Sequence, residues 1–190
     1  FSQDVLIDLK ESLERFRPDL IALSLRNLDN LTYPTSVSYL KEVEEVISVC
    51  RRSSSAKLVI GGSGYSLAPK ELLQYLDVDF GVVGEGEEVL PQLTKSLERG
   101  SPISPSPYLL IKGGSFPHLT GGARVSLIRS PDRTLFKTRR YLEEGGMGNI
   151  QTKRGCPMNC IYCSYKNIEG SSVRYRSPEK IAEELEFMVN

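Results

Sequence analysis

The chain has 190 residues, with 24 Lys+Arg against 24 Asp+Glu, 39% hydrophobic residues, 16 Gly and 11 Pro. That length buries a core for one domain or two small ones, and the composition excludes disorder, collagen and coiled coil. The apolar stretch 20–25 is far too short to span a bilayer, no signal peptide precedes it, and neutrality argues against a surface built to grip nucleic acid.

Apolar residues at Val5, Leu6, Leu9, Leu13 and Phe16 recur at helical spacing over 2–17. Pro18 and Asp19 stop that helix, and 20–25 reads as a buried strand running into the polar loop 26–30. A helix over 36–49 carries Val37, Leu40, Val43 and Ile47 on one face, followed by a turn at 53–55. Residues 57–60 form the next strand, ending in Gly61-Gly62-Ser63-Gly64. Pro69 suits the first turn of a short helix with Leu72, Leu73 and Leu76. A strand over 78–83 ends in Gly84-Glu85-Gly86-Glu87, and a helix with Val89, Leu90, Leu93 and Leu97 follows.

Strands alternating with helices predict an α/β fold with a doubly wound parallel sheet, and such sheets bind ligands beyond the carboxyl ends of their strands. All three strands end in special loops, one polar and two rich in glycine, which predicts a ligand crevice there. No G-x-G-x-x-G opens a helix and no Walker lysine is present, so dinucleotide and nucleoside triphosphate sites are disfavoured. Glu85 and Glu87 read more readily as helix N-terminal acids than as a catalytic pair.

Residues 101–107 alternate Ser and Pro as a linker does, and 100–148 read as a connector with one hairpin. Its short apolar stretches are 109–111, 125–128 and 135–136. Residues 124–176 hold eleven Lys/Arg and four acids, a surplus of +7 that the rest of the chain cancels. This is a solvated basic face or a basic lining for an anionic ligand. Beyond it, 150–152 reads as a strand, Ser177 as an N-cap, Pro178 as a first-turn residue, and Ile181, Leu185 and Met188 as one helical face.

Between that strand and helix lies Arg154-Gly155-Cys156-Pro157-Met158-Asn159-Cys160-Ile161-Tyr162-Cys163, spaced C-x3-C-x2-C. Three clustered thiolates are soft ligands that can hold three irons of a cubane cluster and leave the fourth open. A structural zinc site wants four ligands, and the only His, His118, lies far upstream in the connector. A disulfide with a spare thiol fits less well. Cys50, on the core side of a helix, reads as an inert buried thiol.

This loop, with an aromatic before its last Cys, resembles the signature of the radical S-adenosylmethionine (SAM) enzymes over about 148–190. The resemblance implies a 4Fe–4S cluster on Cys156, Cys160 and Cys163, SAM on the open iron, and Tyr162 beside the adenine. The strand-ending loops are similar to those of the cobalamin-binding domain that precedes many radical SAM domains. By implication, Ser24, Arg26, Asn27, Gly61, Gly62, Ser63, Gly64, Gly84, Glu85 and Gly86 surround cobalamin. The Asp-x-His-x-x-Gly motif that supplies a cobalt ligand in other cobalamin proteins is absent, so the cobalt is expected to lack a lower histidine.

The expected domains are a cobalamin-binding-like unit at 1–100, a connector at 101–147, and the first βα unit of a radical SAM barrel at 148–190. The implied activity is methylation of an unactivated carbon, with no catalytic side chain assigned. The alternatives are a cobalamin-dependent cyclase or rearrangement enzyme, a tRNA methylthiotransferase, and a non-catalytic iron–sulfur or cobalamin module. Only Cys50 precedes the triad, which counts against the methylthiotransferase. Expected partners are a small-molecule substrate and an electron donor such as flavodoxin or ferredoxin, with no membrane and with nucleic acid disfavoured, in the cytoplasm. A full barrel takes about 250 residues, whereas only 164–190 follow the last Cys, and just three strands of the first sheet are visible. The chain is therefore expected to be truncated at both ends and to show little catalysis alone.

Overall fold

A computed structural model describes residues 4–114, 116 and 128–189, so His118 and residues 125–127 of the stretch 125–128 lie outside the described residues. The chain divides into two compact units, Phe1–Arg124 and Val125–Asn190.

In the first unit, helix α1 (Val5–Phe16) starts where the Asp4 carboxylate accepts the amides of Leu6 and Ile7. Strand β1 (Leu20–Ser24) follows, then α2 (Leu40–Ser53), β2 (Lys57–Gly61), α3 (Pro69–Tyr75), β3 (Phe80–Val82), α4 (Val89–Glu98) and β4 (Leu109–Ile111). The sheet order is β1-β2-β3-β4, with the first two pairings parallel and β3–β4 antiparallel.

The two-residue period of β2 decides its packing. Leu58 and Ile60, fully buried, point to one face and join Leu13 of α1, Ile47 and Cys50 of α2, and Leu72 and Leu73 of α3. Val59 points to the other face and joins Phe80, Val82 and Leu93 of α4. Helices therefore cover both faces, as a doubly wound sheet requires. Burial of each such aliphatic side chain is worth about 1.5–3 kcal/mol. Cys50 is buried, and that burial pushes its thiol pKa up, as an inert core thiol should behave.

Two expectations shift. The helix expected over 36–49 begins at Leu40, because the preceding residues fold back on the β1 loop. Asp29 bridges Ser38, and Tyr39 N–H donates to Leu28 O at 2.9 Å. Residues 109–111, expected within the connector, form β4 and make the sheet mixed rather than purely parallel. Leu110 has one fully buried face to fill, and the amides of Val83 and Lys112 extend the pairing beyond the strand.

At the amino edge of the sheet, Asp79 accepts the Leu58 amide at 2.9 Å and pairs with Arg51 at 3.0 Å and Lys57 at 3.4 Å. Burial raises its pKa, but that hydrogen bond and the two cations outweigh burial and hold the carboxyl below its ordinary value.

The second unit contains a 3-10 turn at Arg133–Leu135, α5 (Thr138–Glu143), β5 (Lys153–Arg154), α6 (Tyr165–Glu169), β6 (Arg174–Tyr175) and α7 (Pro178–Val189). The strand expected at 150–152 starts three residues further on, at Lys153, and it gains an antiparallel partner in β6. Thr152 still takes part, its carbonyl accepting the Arg176 amide at 3.0 Å. The Ser177 hydroxyl accepts the Lys180 amide, so the expected N-cap is present. Among the described residues, no helix is long and apolar enough to cross a membrane.

Candidate cofactor edge and cysteine loop

Parallel pairing brings the carboxyl ends of β1, β2 and β3 to one edge, so their loops lie side by side. The first two are sewn together. Leu25 N–H donates to Gly61 O at 2.8 Å, and Leu25 O accepts the amides of Gly64 at 2.9 Å and Tyr65 at 3.3 Å. The Ser63 hydroxyl donates to Arg26 O at 2.8 Å. Gly62 has φ +99, and a Cβ there would stand 2.6 Å from Leu25 O. The sequence assigns this glycine to the approach of a ligand; in the fold, the group that approaches is the neighbouring loop.

Ser66, which the sequence reading passed over, joins the second loop to the third. Its hydroxyl donates to Gly62 O at 2.8 Å and accepts the Gly84 amide at 2.9 Å. The available signal was a serine four residues beyond a strand-end glycine, too common to single out.

Ser24, Arg26 and Asn27 are exposed at this edge, Gly61, Gly62, Ser63, Gly84 and Gly86 are half-buried, and Gly64 and Glu85 are buried. Asp29 and Asn30 instead shape their own loop. Asp29 Oδ1 accepts the Leu31 amide, and Asn30 Oδ1 accepts those of Thr32 and Val37. A pocket of about 440 Å³ opens between β1, β2 and α2, with Leu23, Val43, Val46 and Ile60 as apolar walls and Ser24, Tyr39 and Glu42 as polar groups. Tyr39 and Glu42 were absent from the sequence candidates. Beneath the edge, Tyr65 is fully buried, and its hydroxyl has no hydrogen-bond partner among the described residues. Burial pushes its pKa well above the ordinary phenol value. Small residues along the loops and an adjoining, largely apolar pocket suit a large flat macrocycle with side chains. No histidine stands on the three loops.

In the second unit the cysteine loop leaves β5 through Gly155. With φ +90, Gly155 lies so close to Ser172 O that any Cβ would collide with it. Its amide donates to Glu169 Oε2 at 3.1 Å, and the Cys156 amide donates to Gly170 O at 2.9 Å. Cys156 is half-buried, whereas Cys160 and Cys163 are exposed and linked by a turn in which Cys163 N–H donates to Cys160 O at 3.2 Å. Lys166 donates to the Asn159 side chain across the loop. Tyr162 is 88% exposed. The Tyr165 hydroxyl, pushed up to about 12 by burial and by the Glu169 carboxylate, donates to Glu169 at 2.5 Å.

The three cysteines carry free thiols on one open loop. Among the described residues, no three Cys, His, Asp or Glu side chains are already gathered around a metal position. Three soft donors without a fourth suit a preformed iron–sulfur cluster with one open iron, and not a closed zinc site.

Elsewhere in this unit, buried Glu184 takes Arg133 Nε at 2.7 Å and also pairs with the buried Arg176. Arg176 further donates to Gln151 O and to the Ser130 hydroxyl, each at 2.9 Å. Burial raises the Glu184 pKa, but the two arginines outweigh it and hold the carboxyl below its ordinary value. Arg139 and Arg140 pair with Glu143 and Glu144 along α5. Much of the basic stretch therefore serves internal pairing.

Residues 2–94 match the B12 binding domain family. They belong to that family. The B12-binding domain thus covers the three sewn loops and the helices that flank them. Over 189 residues the chain is 31% identical to hopanoid C-3 methylase of Methylococcus capsulatus, covering 94% of this chain and 34% of that protein. It is 24% identical to tryptophan 2-C-methyltransferase of Streptomyces laurentii, covering 95% and 39%. Among solved structures, it resembles the radical SAM methyltransferase TsrM of Kitasatospora setae, bound to tryptophan and a SAM analogue. There the TM-score is 0.86 and the identity 26%, over 98% of this chain and 37% of that one. The B12-binding domain and the cysteine loop are thus both included in the likeness, and the chain spans between a third and two fifths of the length of these relatives.

Proposed function

We propose that this chain is the cofactor-binding part of a radical SAM enzyme that carries a 4Fe–4S cluster and cobalamin and methylates an unactivated carbon of a small molecule. The observation that carries this reading is the succession, on one chain, of a B12-binding domain and a C-x3-C-x2-C loop whose thiols stand free above an anchored base. The relatives lend support. Two carry methylation in their names, and TsrM has also been seen with cobalamin and a 4Fe–4S cluster bound.

When bound, these cofactors supply one-electron cleavage of SAM and a transferable methyl group. The chain's own part is binding and shielding. Cys156, Cys160 and Cys163 hold three irons and leave the fourth for SAM, and Tyr162 serves the adenine. Ser24, Arg26, Asn27, Gly61, Gly62, Ser63, Gly64, Gly84, Glu85 and Gly86 carry cobalamin, held in register by the Leu25 and Ser66 ties. No side chain is assigned as a general acid or base. Residues 101–147, apart from strand β4 at Leu109–Ile111, act as connector, and 148–190 open the radical SAM domain. A one-electron donor such as flavodoxin or ferredoxin, a small-molecule substrate and a cytoplasmic setting complete the reading.

Anaerobic reconstitution of the chain with iron and sulfide, then with aquocobalamin, tests it. After desalting, the wild-type chain is expected to retain both iron and cobalamin. Replacing the three cysteines by Ala is expected to abolish iron uptake and leave cobalamin retention intact. Equal iron in the cysteine-free variant, or no retained cobalamin, would overturn the assignment.

A further inference from the structure

Segments from both sides of the cysteine loop meet at one carboxylate. Glu169, the last residue of α6, accepts the Gly155 amide at 3.1 Å and the Tyr165 hydroxyl at 2.5 Å on Oε2. Its Oε1 accepts Gln151 Nε2 at 3.3 Å. Its main-chain oxygen accepts Arg174 Nη2 at 2.9 Å, and the next residue, Gly170, accepts the Cys156 amide at 2.9 Å. The chain entering the loop, the helix leaving it and the returning strand β6 are therefore all tied to Glu169–Gly170. Gly155 and Gly170 are buried, whereas Cys160 and Cys163 are exposed. The anchor is covered and the donors are open.

We propose that Glu169 is a positioning residue for the cysteine loop. It fixes Gly155–Cys156 against Gly170, so that the first thiol stands at a set point before any iron arrives. This rests on the reading of the cysteine loop as a cluster site. Glu169 itself is no iron ligand, since both of its oxygens are engaged by groups at the loop base. A carboxylate suits the task because its two oxygens accept three donors at once, two from the chain entering the loop and one from α6. Glutamine has one acceptor oxygen and keeps the Gly155 tie while losing another. Alanine keeps none of the side-chain ties.

The test uses the full chain as wild type, Glu169→Ala and Glu169→Gln. In the metal-free protein, amide hydrogen exchange at Gly155 and Cys156 is expected to rise about tenfold or more in Glu169→Ala and to stay near wild type in Glu169→Gln. The amides of α7 should not change. Unchanged exchange at Gly155 and Cys156, or a rise spread equally over α7, overturns the proposal, the latter by revealing a general folding role. After iron and sulfide reconstitution, Glu169→Ala should hold less iron and give an altered electron paramagnetic resonance spectrum for the reduced cluster, with Glu169→Gln restoring both. An identical spectrum and iron content in Glu169→Ala sink the positioning role alone. A wild-type chain that takes up no iron sinks the cluster reading, while the exchange measurement still decides whether Glu169 fixes the loop.

Discussion

The hydroxyl of Tyr65 occupies the space that a side chain on residue 81 would need, and Gly81 provides it by having none. Phe80 and Val82 point to the α4 face of the sheet, so position 81 points to the opposite face, where Tyr65 packs with Leu58, Ile60 and Leu110. The strand has given up a side chain to admit an aromatic ring from the second loop.

Gly81→Ala is therefore expected to destabilise the chain by about 1–3 kcal/mol through overpacking. Tyr65→Phe, which removes a buried hydroxyl that has no partner among the described residues, is expected to be neutral or stabilising by about 1 kcal/mol. Urea denaturation followed by circular dichroism measures both. A clear loss of stability in Tyr65→Phe would show that the hydroxyl has a partner in solution.

Ser66→Ala breaks the bridge between Gly62 O and Gly84 N–H and leaves that amide without its partner. The expected cost is about 1–2 kcal/mol, together with faster dissociation of bound cobalamin, because the third loop is no longer held to the second. Denaturation midpoints and cobalamin off-rates check the two effects. A wild-type off-rate would mean that the third loop keeps its place without Ser66.

Acidification should weaken the second unit through Glu184. Its folded pKa is depressed, so its contribution is fully present above the unfolded value of 4.5 and disappears as the pH falls through the lower folded value. Glu184→Gln is expected to cost about 3–5 kcal/mol near neutrality, because it leaves the buried Arg176 and the half-buried Arg133 without their counter-charge. It should also flatten the stability profile below pH 4.5. Asp79 adds a contribution of the same sign in the first unit, so the profile is best read from the NMR signals of 128–189 across pH. A variant with the wild-type slope would remove Glu184 from the account.

The parallel core was legible because β2 and β3 are buried on both faces and the helices repeat at clean spacing. Strand β1, read as a buried strand, is instead an edge strand of exposed and half-buried residues, with only Leu25 just beyond it buried. Leu20, Leu58 and Val82 announce themselves by their neighbours in sequence. Strand β4 was not legible, since three apolar residues among Ser, Pro and Gly carry no period, and only Leu110 meeting a waiting core selects them. Strand β6 was hidden for a different reason. Arg174 and Tyr175 are polar-edged residues whose pairing is specified by backbone and by the Arg174 bond to Glu169 O. The cysteines were visible because their chemistry is local. Ser66 and Glu169 were not, because each acquires its meaning from an amide brought to it by the fold.

The ties from Leu25 to Gly61 and Gly64 have a practical corollary. The first two loops behave as one rigid shelf, so neither can be exchanged for a relative's version by itself. Any attempt to graft a new ligand preference onto this edge must transplant 25–30 and 61–66 together as a matched cassette.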